Sequence, residues 1–195
     1  MILYLHGFRS SPASFKAQLL AARLAALGLA DQWHCPQLSA SPARAVAQAM
    51  ALTALADPRQ LCIIGSSLGG YYARYVAEQL GCRAVLLNPA IHPQRDLARF
   101  FGEVDTYTTT QYHSSEPFVF TRADWAELAP LAVPQLRHPE RAFLIAAKGD
   151  EVLDWREMVA AYPNARHHIL EGSDHGLSDF ADTIDEVLQF CARLS

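Results

Sequence analysis

The chain has 195 residues, 51% of them apolar, with 16 Lys and Arg against 20 Asp and Glu for a net charge of −4. That length fits a single domain, 1–195, and the mixed charge offers neither a basic patch for nucleic acid nor an acidic block typical of a disordered tail. No apolar run nears the ~20 residues of a membrane helix and no export signal precedes Ile2-Leu3-Tyr4-Leu5, so a soluble, cytoplasmic protein is expected.

Residues 2 to 5 read as a short apolar strand followed by a turn at His6-Gly7-Phe8-Arg9-Ser10. Ser11-Pro12 has the signature of a helix N-cap with proline at the first helical position, and Phe15, Leu19, Leu20, Leu24 and Leu27 carry the helix to its stop at Gly28. A weak strand is expected at 33–35. Ser41-Pro42 opens an Ala-rich helix that runs to about Ala56, where Asp57-Pro58 ends it. Leu61-Cys62-Ile63-Ile64 is an apolar strand, and Leu68, Tyr71, Tyr72, Tyr75, Val76 and Leu80 have helical spacing. A strand at 84–87 closes on Asn88-Pro89. Strands at 142–147 and 168–170 follow, with helices from about Asp154 to Tyr162 and from about Ser178 to Leu194.

Strands that are apolar throughout are buried on both faces, and their alternation with helices predicts a mostly parallel sheet of about six strands covered on both sides. The fold class is α/β, and ligands in such sheets bind at the carboxyl ends of the strands. Residues 89–141 break the rhythm. They contain no clear strand and many aromatic residues, and they read as a cap or lid over the substrate pocket, with a peripheral packing insertion as the alternative. Cys35, Cys62, Cys82 and Cys191 show no Cys-x-x-Cys pairing and are expected as free thiols.

Gly65-Ser66-Ser67-Leu68-Gly69 is a Gly-x-Ser-x-Gly sequence between a strand and a helix. In that turn the serine is strained, and its flanking glycines avoid collisions with neighbouring backbone, so Ser67 is the candidate nucleophile. A serine nucleophile needs a base and an orienting acid, and strand-end loops further along the chain offer both. Asp150 follows the strand at 142–147, and His175 lies in the glycine-flanked loop after Leu170. Asp154 is the alternative acid, although Asp154 and Glu157 fit a helix capping box; Glu151 is expected to face solvent. His6 is read as shaping its loop, with the backbone N–H groups of Phe8 and Leu68 as oxyanion donors. Phe8, Tyr71, Tyr107 and Tyr112 are expected to line an apolar pocket for short to medium acyl chains. His167 and His168 point to opposite faces of a strand, and His34, His92, His113 and His138 read as surface or packing residues. No metal-ligand spacing is present, and no cofactor is called for.

His6-Gly7-Phe8, Gly65 to Tyr72, Asn88-Pro89-Ala90, Gly149 to Asp154 and Asp174-His175 together resemble the α/β-hydrolases and, more narrowly, the small bacterial YqiA/YcfP-type esterases. The resemblance implies a three-layer α/β-hydrolase fold with Ser67, Asp150 and His175 as triad. It also implies cofactor-free hydrolysis of a small-molecule carboxylic ester or acyl thioester. Three other readings stay open: a hydrolase-fold binding protein without catalysis, an acyltransferase or carbon–carbon hydrolase using the same triad, and a metal-dependent hydrolase.

Overall fold

Side-chain parity along the strands explains the layers. In β1 (Ile2–Leu5), Leu3 and Leu5 face one side of the sheet and Ile2 and Tyr4 the other, and all four are buried. Ile63 and Ile64 of the strand β3 divide in the same way, so each strand needs a helical layer on both faces. The computed structural model describes residues 1–101, 104–112 and 115–192.

In chain order, β1 is followed by α1 (Phe15–Ala26), β2 (Trp33–His34), α2 (Pro42–Thr53), β3 (Cys62–Ser66), α3 (Leu68–Leu80) and β4 (Arg83–Leu87). Then come α4 (Pro93–Leu97), β5 (Thr106–Thr110), β6 (Pro117–Thr121), α5 (Arg122–Ala126), β7 (Ala142–Ala147), α6 (Trp155–Ala161), β8 (Arg166–Leu170) and α7 (Ile184–Ala192). Six strands form one sheet in the order β2-β1-β3-β4-β7-β8, every pair parallel. Helices α1 and α7 bury Leu20, Leu24, Val187 and Phe190 against one face. Helices α2, α3 and α6 bury Val46, Tyr72, Val76 and Met158 against the other. No helix among the described residues is long and apolar enough to cross a membrane.

Several expectations need correction. The first helix starts at Phe15 with Ser14 at its N-cap position. Ser11 instead accepts the Ala13 and Ser14 amides, at 3.2 and 3.0 Å, in a preceding turn. The face of α1 is also rotated: Lys16, Ala17, Leu20 and Leu24 are buried, while Phe15 is 50% exposed and Leu27 48%. Residues 89–141 do contain strands, since β5 and β6 form an antiparallel hairpin with Tyr107 opposite Phe120 and Thr109 opposite Phe118. His113 and the expected last turn to Leu194 lie outside the described residues.

Among the described residues, backbone strain is confined to one rim. Five non-glycine residues there have positive φ, namely Arg9, Ser67, Asn88, Ser173 and Leu177, and each sits in a loop that follows the carboxyl end of a strand.

Candidate active site

Ser67 occupies the turn between β3 and α3 with φ 55° and ψ −120°, a conformation that projects its hydroxyl from the sheet rim. Its neighbours are forced to be glycine. A Cβ on Gly69 would lie 2.0 Å from the Leu5 carbonyl oxygen, and one on Gly65 would lie 2.2 Å from that of Gly69. Thus β1, β3 and α3 approach so closely that only bare backbone fits, which fixes Ser67 beside the turn that follows β1.

His175 Nε2 lies 3.0 Å from Ser67 Oγ, and His175 Nδ1 lies 2.8 Å from Asp150 Oδ2. The Asp150 carboxylate has no exposed surface, against 22% for the His175 side chain. Its other oxygen accepts the amides of Val152 and Leu153, both at 2.8 Å, so the acid is locked by its own turn while one oxygen stays aimed at the imidazole. The acid and histidine loops are pressed together: Gly149 donates to the Gly172 carbonyl at 3.2 Å, and a Cβ on Gly149 would meet Ser173 O at 2.2 Å.

Asp154 is placed apart from this chain of hydrogen bonds. It caps α6 by accepting the Arg156 amide at 2.9 Å. The expected capping box does not form, because the Glu157 carboxylate takes both guanidinium nitrogens of Arg95 at 2.7 Å. Glu151 is exposed as expected, yet it accepts the backbone N–H of His175 at 3.0 Å and so steadies the histidine loop.

Asn88 received no chemical role from the sequence, and the structure supplies one. Wholly buried, it accepts the Ala147 amide through Oδ1 at 2.8 Å and donates through Nδ2 to the carbonyls of Asp174 and His175 at 3.0 and 3.3 Å. One side chain therefore ties the end of β7, which carries Asp150, to the loop that carries His175. The following residues hold the elbow: Ala90 N–H donates to Ser67 O at 3.0 Å, and Pro89 packs against Gly70. An Asn-Pro pair at a strand end was the only available signal.

His6 is 4% exposed. Its Nε2 accepts the Leu38 amide at 3.0 Å, which leaves the proton on Nδ1, 3.1 Å from the Gly7 carbonyl that accepts it. Burial keeps its pKa below the ordinary histidine value, so it stays neutral and shapes the turn. The backbone N–H groups of Phe8 and Leu68 have no protein acceptor among the described residues.

A cavity of about 360 Å³ opens beside Ser67 and His175. Phe8 and Tyr112 line it, together with Phe15 and Val152. Two of the four expected pocket residues do not. Tyr71 is 4% exposed and donates its hydroxyl to the Leu128 carbonyl at 2.8 Å, on the face of the sheet covered by α2, α3 and α6. Tyr107 packs in a three-ring cluster with Phe8 and Phe100 and accepts from Arg9 Nη1 at 2.7 Å. Phe8 is packed edge-on against Phe118 and Phe120 of the hairpin, so β5 and β6 rest on the turn that carries the Phe8 amide. Arg9 closes the same contact through Thr109 Oγ1 at 3.0 Å and by lying over the Tyr112 ring.

The remaining histidines are engaged elsewhere. His167 Nε2 meets Tyr162 O at 2.6 Å and His168 Nδ1 meets Glu186 at 2.5 Å, while His34, His92 and His138 are exposed. Among the described residues no group of three His, Cys, Asp or Glu side chains is placed to hold a metal. The four thiols are free.

The description "Uncharacterised protein family (UPF0227)" belongs to a family model that matches residues 1–192. A UPF0227 protein of Shewanella loihica is 30% identical over 105 residues, 53% of this chain and 48% of its own length, so the match spans about half of each. Among solved structures, a candidate hydrolase of Agrobacterium vitis S4 superposes with a TM-score of 0.74 at 19% identity, covering 97% of this chain and 87% of the other. The ferulic acid complex of Est1E from Butyrivibrio proteoclasticus gives 0.71 at 14% identity, covering 96% and 87%. At these identities the likeness is one of fold, and the fold is that of the α/β-hydrolases.

Proposed function

Because the chain belongs to the uncharacterised family UPF0227 and has the α/β-hydrolase fold, we propose that it is a serine hydrolase of carboxylic esters or acyl thioesters. The observation that carries this reading is the continuous hydrogen-bonded path from Ser67 Oγ through the His175 ring to Asp150. The path begins at a strained turn beside two backbone N–H groups with no acceptor among the described residues.

His175 Nε2 takes the proton of Ser67 as the oxygen attacks the acyl carbonyl. The negative oxygen of the tetrahedral intermediate is received by the N–H groups of Phe8 and Leu68, the latter at the positive end of α3. His175 returns the proton to the departing alcohol or thiol, and the acyl group remains on Ser67. Water then attacks the acyl-enzyme as His175 accepts its proton, and collapse of the second intermediate frees the acid and restores the serine. Asp150 keeps the proton on Nδ1, so that Nε2 is free to accept. The hairpin of β5 and β6 acts as a cap: it packs on the turn carrying Phe8 and brings Tyr112 to the cavity wall.

The test is covalent labelling with a fluorophosphonate and peptide mapping by mass spectrometry. The adduct is expected on Ser67 and absent from Ser67→Ala. An adduct on Ser66, or no adduct on folded protein, would overturn the assignment.

A further inference from the structure

The cavity beside Ser67 is lined by both apolar and cationic side chains. On α1 the expected order of burial is exchanged at its start: Phe15 is 50% exposed at the cavity mouth, and Lys16, beside it in sequence, is only 9% exposed. Burying an ammonium costs stability unless its donors are satisfied. Lys16 Nζ donates to the Gly176 carbonyl at 2.5 Å, and this is its one acceptor among the described residues, leaving two of three N–H groups without one. Asp174 and Asp150 attract it from a distance, but no carboxylate of the described residues forms an ion pair with it.

Among the described residues, the cavity lining contains no Asp or Glu. Its other full cation is Arg99, whose guanidinium lies over the Phe100 ring and pairs with no carboxylate among the described residues. Nearby acids are already committed: Asp150 to His175, and Asp174 to the Ser178 amide and hydroxyl. The one buried cation at the site is therefore short of acceptors, next to the candidate nucleophile.

We propose that the cavity takes an acyl substrate bearing a second, anionic group such as a carboxylate, with that group seated on the Lys16 ammonium. The inference rests on the serine-hydrolase reading and deepens it. Burial lowers the Lys16 pKa to about 8, opposed by the two carboxylates, so the side chain is mostly charged at neutral pH, and a bound anion adds to that preference. Phe15, Tyr112 and Val152 at the mouth accommodate the apolar part of such a molecule. If Lys16 served only as a strut for the loop at Gly176, charged and neutral substrates would be equally sensitive to its loss.

The experiment compares two matched ester pairs. A carboxylate on the acyl side is tested with p-nitrophenyl hydrogen glutarate against p-nitrophenyl valerate. A carboxylate on the alcohol side is tested with 3-carboxyphenyl butyrate against phenyl butyrate. Each kcat/KM is divided by the ester's own alkaline hydrolysis rate. In the wild-type protein one pair is expected to favour the anion by about ten-fold or more, as a charge-assisted hydrogen bond implies, and that pair identifies the half of the substrate that carries it. The ratio is expected to persist in about 0.5 M sodium chloride, where exposed charges are screened, and to fall to near one in Lys16→Met. No anion preference in either pair, a preference erased by salt, or an unchanged ratio in Lys16→Met overturns the proposal. Should Lys16→Met not fold, the wild-type ratio and its salt response decide. Fluorophosphonate labelling of the same wild-type preparation reports separately on Ser67, so a labelled protein with no anion preference refutes this inference alone.

Discussion

Replacing Asn88 by alanine isolates what positions His175. Three hydrogen bonds disappear at a wholly buried site: the one accepted from Ala147, and the two donated to the carbonyls of Asp174 and His175. Leaving the buried Ala147 amide unpaired costs about 1–3 kcal/mol, and each carbonyl that loses its donor adds up to about 1 kcal/mol. Asn88 has φ 39°, and alanine there costs about 1 kcal/mol more. The total is about 4 kcal/mol, a large part of the 5–15 kcal/mol typical of a folded domain, so part of the cost is expected to appear as displacement of the His175 loop. A shift of about 1 Å in the base lowers kcat/KM about a hundred-fold. The assay is kcat/KM on p-nitrophenyl butyrate with denaturant unfolding in parallel, for Asn88→Ala and Asn88→Gly. The glycine variant relieves the φ strain but restores no hydrogen bond, so it is expected to recover only about 1 kcal/mol of stability and none of the turnover. Activity within about three-fold of wild type in a measurably destabilised variant would refute the argument.

Asp150→Asn is expected to lower kcat by about 10⁴-fold through the wrong imidazole tautomer, whereas Asp154→Asn, which alters a helix cap, changes kcat only a few-fold; steady-state kinetics on one ester separates them. Arg9→Ala removes the bonds to Tyr107 and Thr109 and the contact over Tyr112, which together stabilise the hairpin by about 1–2 kcal/mol. Faster amide exchange in 106–110 and 117–121 is expected, without change in the main sheet. Stability is expected to fall at alkaline pH. Burial raises the thiols of Cys35 and Cys82 to about 12, so folding retains protons that the unfolded chain releases above about pH 9. Their contribution is complete below that value and is lost as pH rises through the folded values; Lys16, with its lowered pKa, works in the opposite direction. Denaturant midpoints from pH 7 to 11 check this, and Cys35→Ala is expected to shallow the decline.

The middle of the sheet was legible because β1, β3, β4 and β7 are apolar on both parities and each runs into a turn, whereas β2 and β8 carry polar residues and read only weakly. The elbow was legible because its glycines are demanded by contacts that only backbone satisfies. The hairpin was hard to read because both runs are short, Thr-Tyr-Thr-Thr-Thr holds a single apolar residue, and Phe-Val-Phe is opened by Pro117. Tyr71 and Tyr107 were assigned to the pocket on residue type alone; which face a helical tyrosine presents depends on how α3 is rotated against the sheet. Lys16 could not be found by any apolar periodicity, since it occupies a position that the pattern reserves for a hydrophobic side chain. Asn88 was invisible for a different reason: its three partners come from β7 and the His175 loop, some sixty and ninety positions away.

The confinement of left-handed, non-glycine backbone to one rim sets thermal resilience against turnover. Glycine at Ser173 would relax a local conformation at little other cost, whereas glycine at Arg9, Asn88 or Leu177 would also lose the hairpin contacts, the three hydrogen bonds or the buried side chain made there. A screen that selects only for melting temperature is thus expected to enrich changes at Ser173, in the loop that carries His175, while eroding the rate, and to leave Arg9, Asn88 and Leu177 in place. The helical layers carry no such conflict, and changes there can raise heat tolerance without touching the chemistry.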